Sequence, residues 1–184
     1  MKRETILLVR KIAENYYKLI TKEMGIENVF PVDMNSIIKH INGNIIERED
    51  LVKSNIKYIN KGTPPAFEIH IYKHNNEKAR RFYLAKELGY LILHMDFFDE
   101  EARKTQSDDF YKTFFLDSRR EIQAIEFAYC FLMPSKVFDD IGLKTMIKKG
   151  SENYYNIKAL ENYFGVANVI VVERGISLYL FDNR

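Results

Sequence analysis

Lys86 and Glu87 place an ammonium and a carboxylate side by side in Arg81-Phe82-Tyr83-Leu84-Ala85-Lys86-Glu87-Leu88-Gly89-Tyr90-Leu91-Ile92-Leu93-His94, the most apolar helical stretch of the chain. A buried charge is costly unless a specific neighbour compensates it, so each of the two needs a partner and the pair marks a site or the remains of one. Phe82, Ala85, Leu88, Ile92 and Met95 recur at helical spacing, and Leu84, Leu91 and Leu93 make most of the remaining surface apolar, which predicts a helix enclosed by protein.

In a helix of the form His-Glu-x-x-His, two imidazoles one turn apart reach a single zinc ion, and the intervening glutamate serves as general base toward metal-bound water. Here the frame reads Lys86-Glu87-Leu88-Gly89-Tyr90, and only the base position keeps its chemistry. The surroundings are more specific. Arg81-Phe82, Leu84-Ala85, Glu87-Leu88-Gly89 and Leu91 to His94 resemble the ImmA/IrrE family of metallopeptidases, whose helix usually reads R-F-x-x-A-H-E-L-G-H-x-x-L-H. The segment Glu121-Ile122-Gln123-Ala124-Ile125-Glu126-Phe127-Ala128-Tyr129-Cys130-Phe131-Leu132-Met133-Pro134 is similar to the family's second helix, E-x-x-A-x-x-F-A-x-x-L-L-M-P, whose first glutamate is the third metal ligand. The resemblance reaches Pro31-Val32-Asp33 and Phe164-Gly165-Val166. It implies an α+β, zincin-like domain over residues 1–184, with a small antiparallel or mixed sheet packed against a helical bundle. It also implies that Lys86 and Tyr90 stand where the family has its zinc histidines, Glu121 where it has the third ligand, and Glu87 at a vestigial base position.

A protonated lysine cannot bind a metal, and a phenol, with a reference pKa of about 10, is a poor zinc ligand at neutral pH. With both imidazoles lost, the chelate that fixes the ion is gone, so no zinc or other cofactor and no catalytic residue is expected. The charge of Lys86 is instead expected to take roughly the place of the missing cation and pair with Glu121 or Glu87. Other readings compete. Glu121 follows Ser118 at the spacing of a capping box, so it either satisfies a helix terminus or makes that pair. Glu87 is expected to partner an arginine such as Arg81 or Arg120. His94, a nearby candidate, rises about 10 Å along the helix from Glu87, which makes a shared metal geometry difficult and favours a hydrogen-bonded core histidine. His40, His70 and His74 are dispersed.

The 184 residues, 46% of them hydrophobic, suggest one globular domain, and the formal net charge of +2, with basic pairs scattered among acidic groups, leaves no nucleic-acid footprint. Cys130, the single cysteine, excludes an internal disulfide or a cysteine zinc cluster and reads as a buried inert thiol. The apolar run Ile6 to Val9 is too short for a signal-peptide core or a membrane span, so a cytoplasmic protein is expected. No Gly-x-Ser-x-Gly or phosphate-binding loop offers another catalyst.

Periodicity predicts a first helix from about Glu4 to Glu23, with Leu8, Ile12, Tyr16, Leu19 and Ile20 inward, a solvated polar face, and Gly25 as its stop. Asp33 should cap a helix through Ile41. Ile45-Ile46, Ile56 to Tyr58 and the alternating Phe67, Ile69 and Ile71 read as strands, with Lys61 to Pro65 as a turn. Residues 96–117 mix acids with Phe97, Phe98, Phe110, Tyr111, Phe114 and Phe115; anchoring to the core is favoured over a lid, and a short helix fits inside. Further helices are expected at Ser118 to Met133 and Asn153 to Phe164, with a brief turn at Val137 to Ile141 and an exposed connector at Lys148-Lys149-Gly150. Val166 to Val172 is β-branched, but the resemblance favours helix there. Ile176 to Phe181 reads as a terminal strand or extended tail.

These readings converge on a catalytically inactive pseudo-peptidase that binds a protein. The resemblance implies a phage or mobile-element regulator or inhibitor that sequesters a repressor or another bacterial protein. One rival is a metallopeptidase with atypical ligands from Glu87, His94 and Glu121 cleaving a helix-turn-helix repressor. Another is a toxin-antitoxin component or DNA-binding regulator.

Overall fold

A computed structural model describes residues 3–51, 54–73, 76–105, 117–149 and 152–181. Helix α1 (Arg3–Met24) ends where Gly25 turns left-handed at φ +66°. Its buried stripe is Val9, Ala13, Tyr16, Tyr17 and Ile20, while Leu8 and Leu19 lie more than half exposed. The inward face is thus rotated from the one periodicity predicts. Arg10 and Glu14, expected in solvent, reach carboxylate and guanidinium partners on other helices, so the helix turns to bury polar work alongside Ala13.

Asp33 caps α2 (Met34–His40) by accepting from the backbone N–H groups of Asn35 and Ser36, and Ile37 and Ile38 are fully buried. Strands β1 (Gly43–Arg48), β2 (Asn55–Asn60) and β3 (Ala66–Tyr72) form a mixed sheet in the order β1-β3-β2, with β1 parallel and β2 antiparallel to the central strand. Phe67, Ile69 and Ile71 on β3 are buried, as the alternation predicts. Helix α3 (Glu77–His94) is capped by Asn76, and α4 (Glu100–Thr105) is the short helix expected after it.

Helix α5 (Ser118–Leu132) packs along α3 and α1. The brief turn expected near Val137 is a full helix, α6 (Ser135–Lys144). No side chain caps it locally, but Glu14 of α1 accepts from the Ser135 N–H at 2.9 Å, and Phe138 stacks on Phe164 at 5.8 Å between ring centres. The connector expected at Lys148 is a small antiparallel hairpin, β4 (Ile147–Lys149) with β5 (Glu152–Tyr154). Consequently α7 runs Ile157–Phe164, later than expected, because Asn156 rather than Asn153 supplies its cap.

The β-branched segment is helical, as the resemblance implies: α8 spans Asn168–Ser177. The tail beyond it is neither a strand nor extended, because the N–H groups of Leu180 and Phe181 turn back to the Gly175 carbonyl. One cluster of buried apolar side chains joins α1, the sheet, α3, α5 and the closing helices. No helix among the described residues is long and apolar enough to cross a membrane.

Candidate functional site

Lys86, Glu87 and Tyr90 lie in the buried middle of α3, at 5%, 0% and 1% exposure. Gly89 sits between them on the side facing α5. A Cβ there would lie 3.0 Å from both the Ala124 carbonyl oxygen and the Phe127 Cβ, so the missing side chain allows the two helices to approach closely. That approach brings Glu121, in the first turn of α5, over Lys86 and Tyr90. The terminus of α5 is capped by Asp117, which accepts from the Arg119 N–H at 2.9 Å; the capping-box role for Glu121 is not the arrangement found.

The Glu121 carboxylate binds both α3 side chains. Lys86 Nζ donates to Oε1 at 3.0 Å, and the Tyr90 hydroxyl donates to Oε2. Lys86 Nζ also lies 3.5 Å from Glu87 Oε1 and over the rings of Tyr83 and Tyr90, at 5.5 and 5.8 Å from their centres. The Ser54 hydroxyl, in the loop just before β2, donates to Glu87 Oε1. Among the described residues, Glu87 Oε2 has no hydrogen-bond partner.

Burial holds the Glu87 carboxyl above the usual carboxylate range, with Lys86 and the Ser54 hydrogen bond pulling the other way. Burial likewise raises the Tyr90 phenol, and its hydrogen bond to the anionic Glu121 adds to the rise. His94 meets the Tyr90 ring edge-on at 5.9 Å. Its imidazole is pushed down to about 4, chiefly by burial and then by the Arg120 charge.

Lys86, Tyr90 and Glu121 therefore meet at one place, with Glu87 adjoining. The expected arginine partners of Glu87 are engaged elsewhere: Arg81 donates to the carbonyls of Val32 and Gly165, and Arg120 lies 3.6 Å from Asp117. Ser54 and Tyr83 were not anticipated. Tyr83 stands three residues before Lys86, a spacing that signals contact on a helix, whereas a serine in a loop before β2 carries no local signal. Cys130 is buried, and burial pushes its thiol up to about 12. His70 pairs with Glu68 at 2.9 Å and His40 with Glu23 at 3.6 Å; His74 lies outside the described residues. Of the aromatics after α3, Phe97 anchors on Phe67 and Phe98 contacts Tyr16 while remaining exposed; Phe110, Tyr111, Phe114 and Phe115 lie outside the described residues.

A small mixed sheet leading into a buried helix with a central glutamate, crossed by a second helix that brings its own first-turn glutamate to the same point, is the layout of a zincin-like metallopeptidase domain. A family model described as the IrrE N-terminal-like domain, a peptidase family, matches residues 46–174, and the chain belongs to that family. A search of curated proteins gives no match.

The metal such domains imply does not suit the side chains present here. An ammonium has no lone pair to offer, and the Tyr90 phenol is held in its protonated form while donating to Glu121. Among the described residues, no group of three or more His, Cys, Asp or Glu side chains could hold a metal ion. No chemical step through a metal follows from this donor set.

Proposed function

We propose that the chain is a zincin-like domain whose peptidase chemistry has been replaced by an internal ion pair, and that it acts by binding another protein. The observation that carries this reading is the Glu121 carboxylate, held on one oxygen by Lys86 and on the other by Tyr90. A third metal ligand occupied in this way has no free geometry for zinc, and Glu87 beside it has no metal water to activate. The fold remains available to a protein partner. A repressor or another bacterial protein fits the family context, with the chain acting as a phage or mobile-element regulator or inhibitor that sequesters it. DNA is a poor fit: the charge is balanced, and the exposed residues of α8 are Asn168, Val169 and Glu173, without a cation to meet phosphate.

The rival peptidase with atypical ligands is favoured by one observation, the buried Glu87 oxygen without a hydrogen bond among the described residues. Elemental analysis of the purified protein, with a thermal-stability titration of added zinc, separates the two. The binding reading expects substoichiometric metal and no stabilisation by zinc. Near-stoichiometric metal that is lost on Glu87→Gln or Glu121→Gln would overturn it and direct the search toward a peptide substrate.

A further inference from the structure

We infer that the Lys86 ammonium is a built-in substitute for a divalent cation, clamping α3 to α5 through Glu121, and that the backbone beneath it still holds the geometry of a metal site. The inference deepens the metal-free reading above and rests on it.

Three features support it. The ammonium is not merely near Glu121 but on it, at 3.0 Å, with Glu87 Oε1 at 3.5 Å on its other side, so one cation is shared by two carboxylates from different helices. Those are the groups that need a counter-charge when a metal is absent, because two neighbouring carboxylates in a largely buried setting repel one another. Next, positions 86 and 90 lie one turn apart on a single face of α3, and both side chains reach the same carboxylate. Ligands placed there would converge on the point that Nζ now fills. Finally, Gly89 keeps α5 at the distance this convergence requires, since a Cβ at that position would press on Ala124 and Phe127. The helix spacing that lets Glu121 reach α3 is therefore built into the backbone, independent of which side chains meet there.

A lysine retained only for the packing of its aliphatic stem makes different predictions. With the stem kept and the charge removed, as in Lys86→Met, Glu121 and Glu87 would lose the cation they share, and a second substitution, Glu121→Gln, should then recover stability. In the unsubstituted protein the same Glu121→Gln change should reduce stability. This reversal of sign is the signature of a charge that neutralises Glu121, and packing alone does not produce it.

The experiment has two arms. The first measures urea midpoints for wild type, Lys86→Met, Glu121→Gln and the double variant. Glu121→Gln is expected to lower the midpoint alone and raise it in the Lys86→Met background; additive effects would overturn the inference. The second arm examines the Lys86→His, Tyr90→His double variant by zinc titration, metal analysis and circular dichroism. It is expected to take up one zinc per chain, with a melting temperature raised by about 5–10 °C at zinc about a hundredfold above its dissociation constant, and to lose that uptake when Glu121→Gln is added. A folded double variant that ignores zinc would overturn the claim of a retained metal geometry, and a double variant that fails to fold even with zinc present would count against it equally. Wild type titrated in parallel keeps the two readings distinct: zinc uptake by wild type contradicts the metal-free function, whereas additive midpoints contradict only the cation-substitute role.

Discussion

At the scale of single residues, the site is governed by where each carboxylate finds its counter-charge. Glu121 is about one-third exposed, at 30%, and has both Lys86 and Tyr90; Glu87 is fully enclosed, with Lys86 farther off and Ser54 on the same oxygen. Removing Glu121 leaves the Lys86 ammonium buried with, among the described residues, only Glu87 as a carboxylate close by. Glu121→Ala should therefore cost about 2–3 kcal/mol in urea unfolding, less than a fully buried pair because Glu121 is partly solvated and Lys86 keeps the Glu87 carboxyl 3.5 Å away. A loss below about 0.5 kcal/mol would show that water screens the pair. Glu87 makes the opposite prediction with pH. Burial raises its carboxyl in the folded protein above the unfolded value, so its contribution is fully present below the unfolded pKa of about 4.3 and is lost as pH rises through the folded value. Glu87→Gln removes that loss. Its stability relative to wild type should improve as pH rises above about 5 and level off once pH passes the folded value, and a difference that stays flat from pH 5 upward would mean that burial does not hold Glu87 above its unfolded value.

At the scale of elements, the decisive contact is the crossing of α3 and α5, and its narrowest point is Gly89. Gly89→Ala forces the added methyl toward the Ala124 carbonyl and the Phe127 side chain, so overpacking should outweigh the usual helix gain of alanine and cost about 1–3 kcal/mol. The same shift should lengthen the reach of Glu121 to α3, so that combining Gly89→Ala with Glu121→Ala costs less than the sum of the two. Additive effects in denaturant would separate the helix spacing from the ion pair. This crossing also shows what sequence can convey. The charges at Lys86 and Glu87, the one-turn spacing of Lys86 and Tyr90, and the cap at Asp33 were legible because helical spacing and cap chemistry are local, whereas the place of Glu121 came from the family resemblance. The rotation of α1 was not, because periodicity ranks Leu8 and Leu19 above Ala13 and cannot foresee that Arg10 and Glu14 find partners in the interior. Ser54 was invisible for a similar reason: its partner Glu87 lies on a different element, and only the packing of the sheet onto α3 brings them together. The hairpin after α6 escaped because its strands are too short for a period, and the returning tail because it is fixed by Phe181 lying over Gly175.

At the scale of the whole molecule, the first and last helices are joined by a buried polar network. Arg174 of α8 is fully buried; Nε donates to the Met133 carbonyl at 3.0 Å and Nη1 to the Cys130 sulfur at 3.1 Å, while Nη2 reaches Glu14 of α1 at 3.3 Å. Glu126 of α5 lies 3.9 Å from the same guanidinium and accepts from Arg10 of α1 at 2.6 Å. Three helices far apart in sequence thus share one set of charges, and Glu14 also caps α6. Truncating a single member leaves the others buried and unbalanced, so Arg174→Met should cost about 3–5 kcal/mol, more than its lost packing alone. Cys130 reports the consequence directly. Burial raises its thiol to about 12, so a thiol reagent should modify it only after the protein opens. If α1, α5 and α8 separate as one cooperative unit, labelling of Arg174→Met in native buffer should accelerate by about a hundredfold to several thousandfold, matching the loss measured in urea. Labelling that accelerates far more than the urea result allows would place the opening locally around Cys130. Labelling unchanged from wild type would mean that apolar packing, rather than the shared charges, holds the two ends of the chain together.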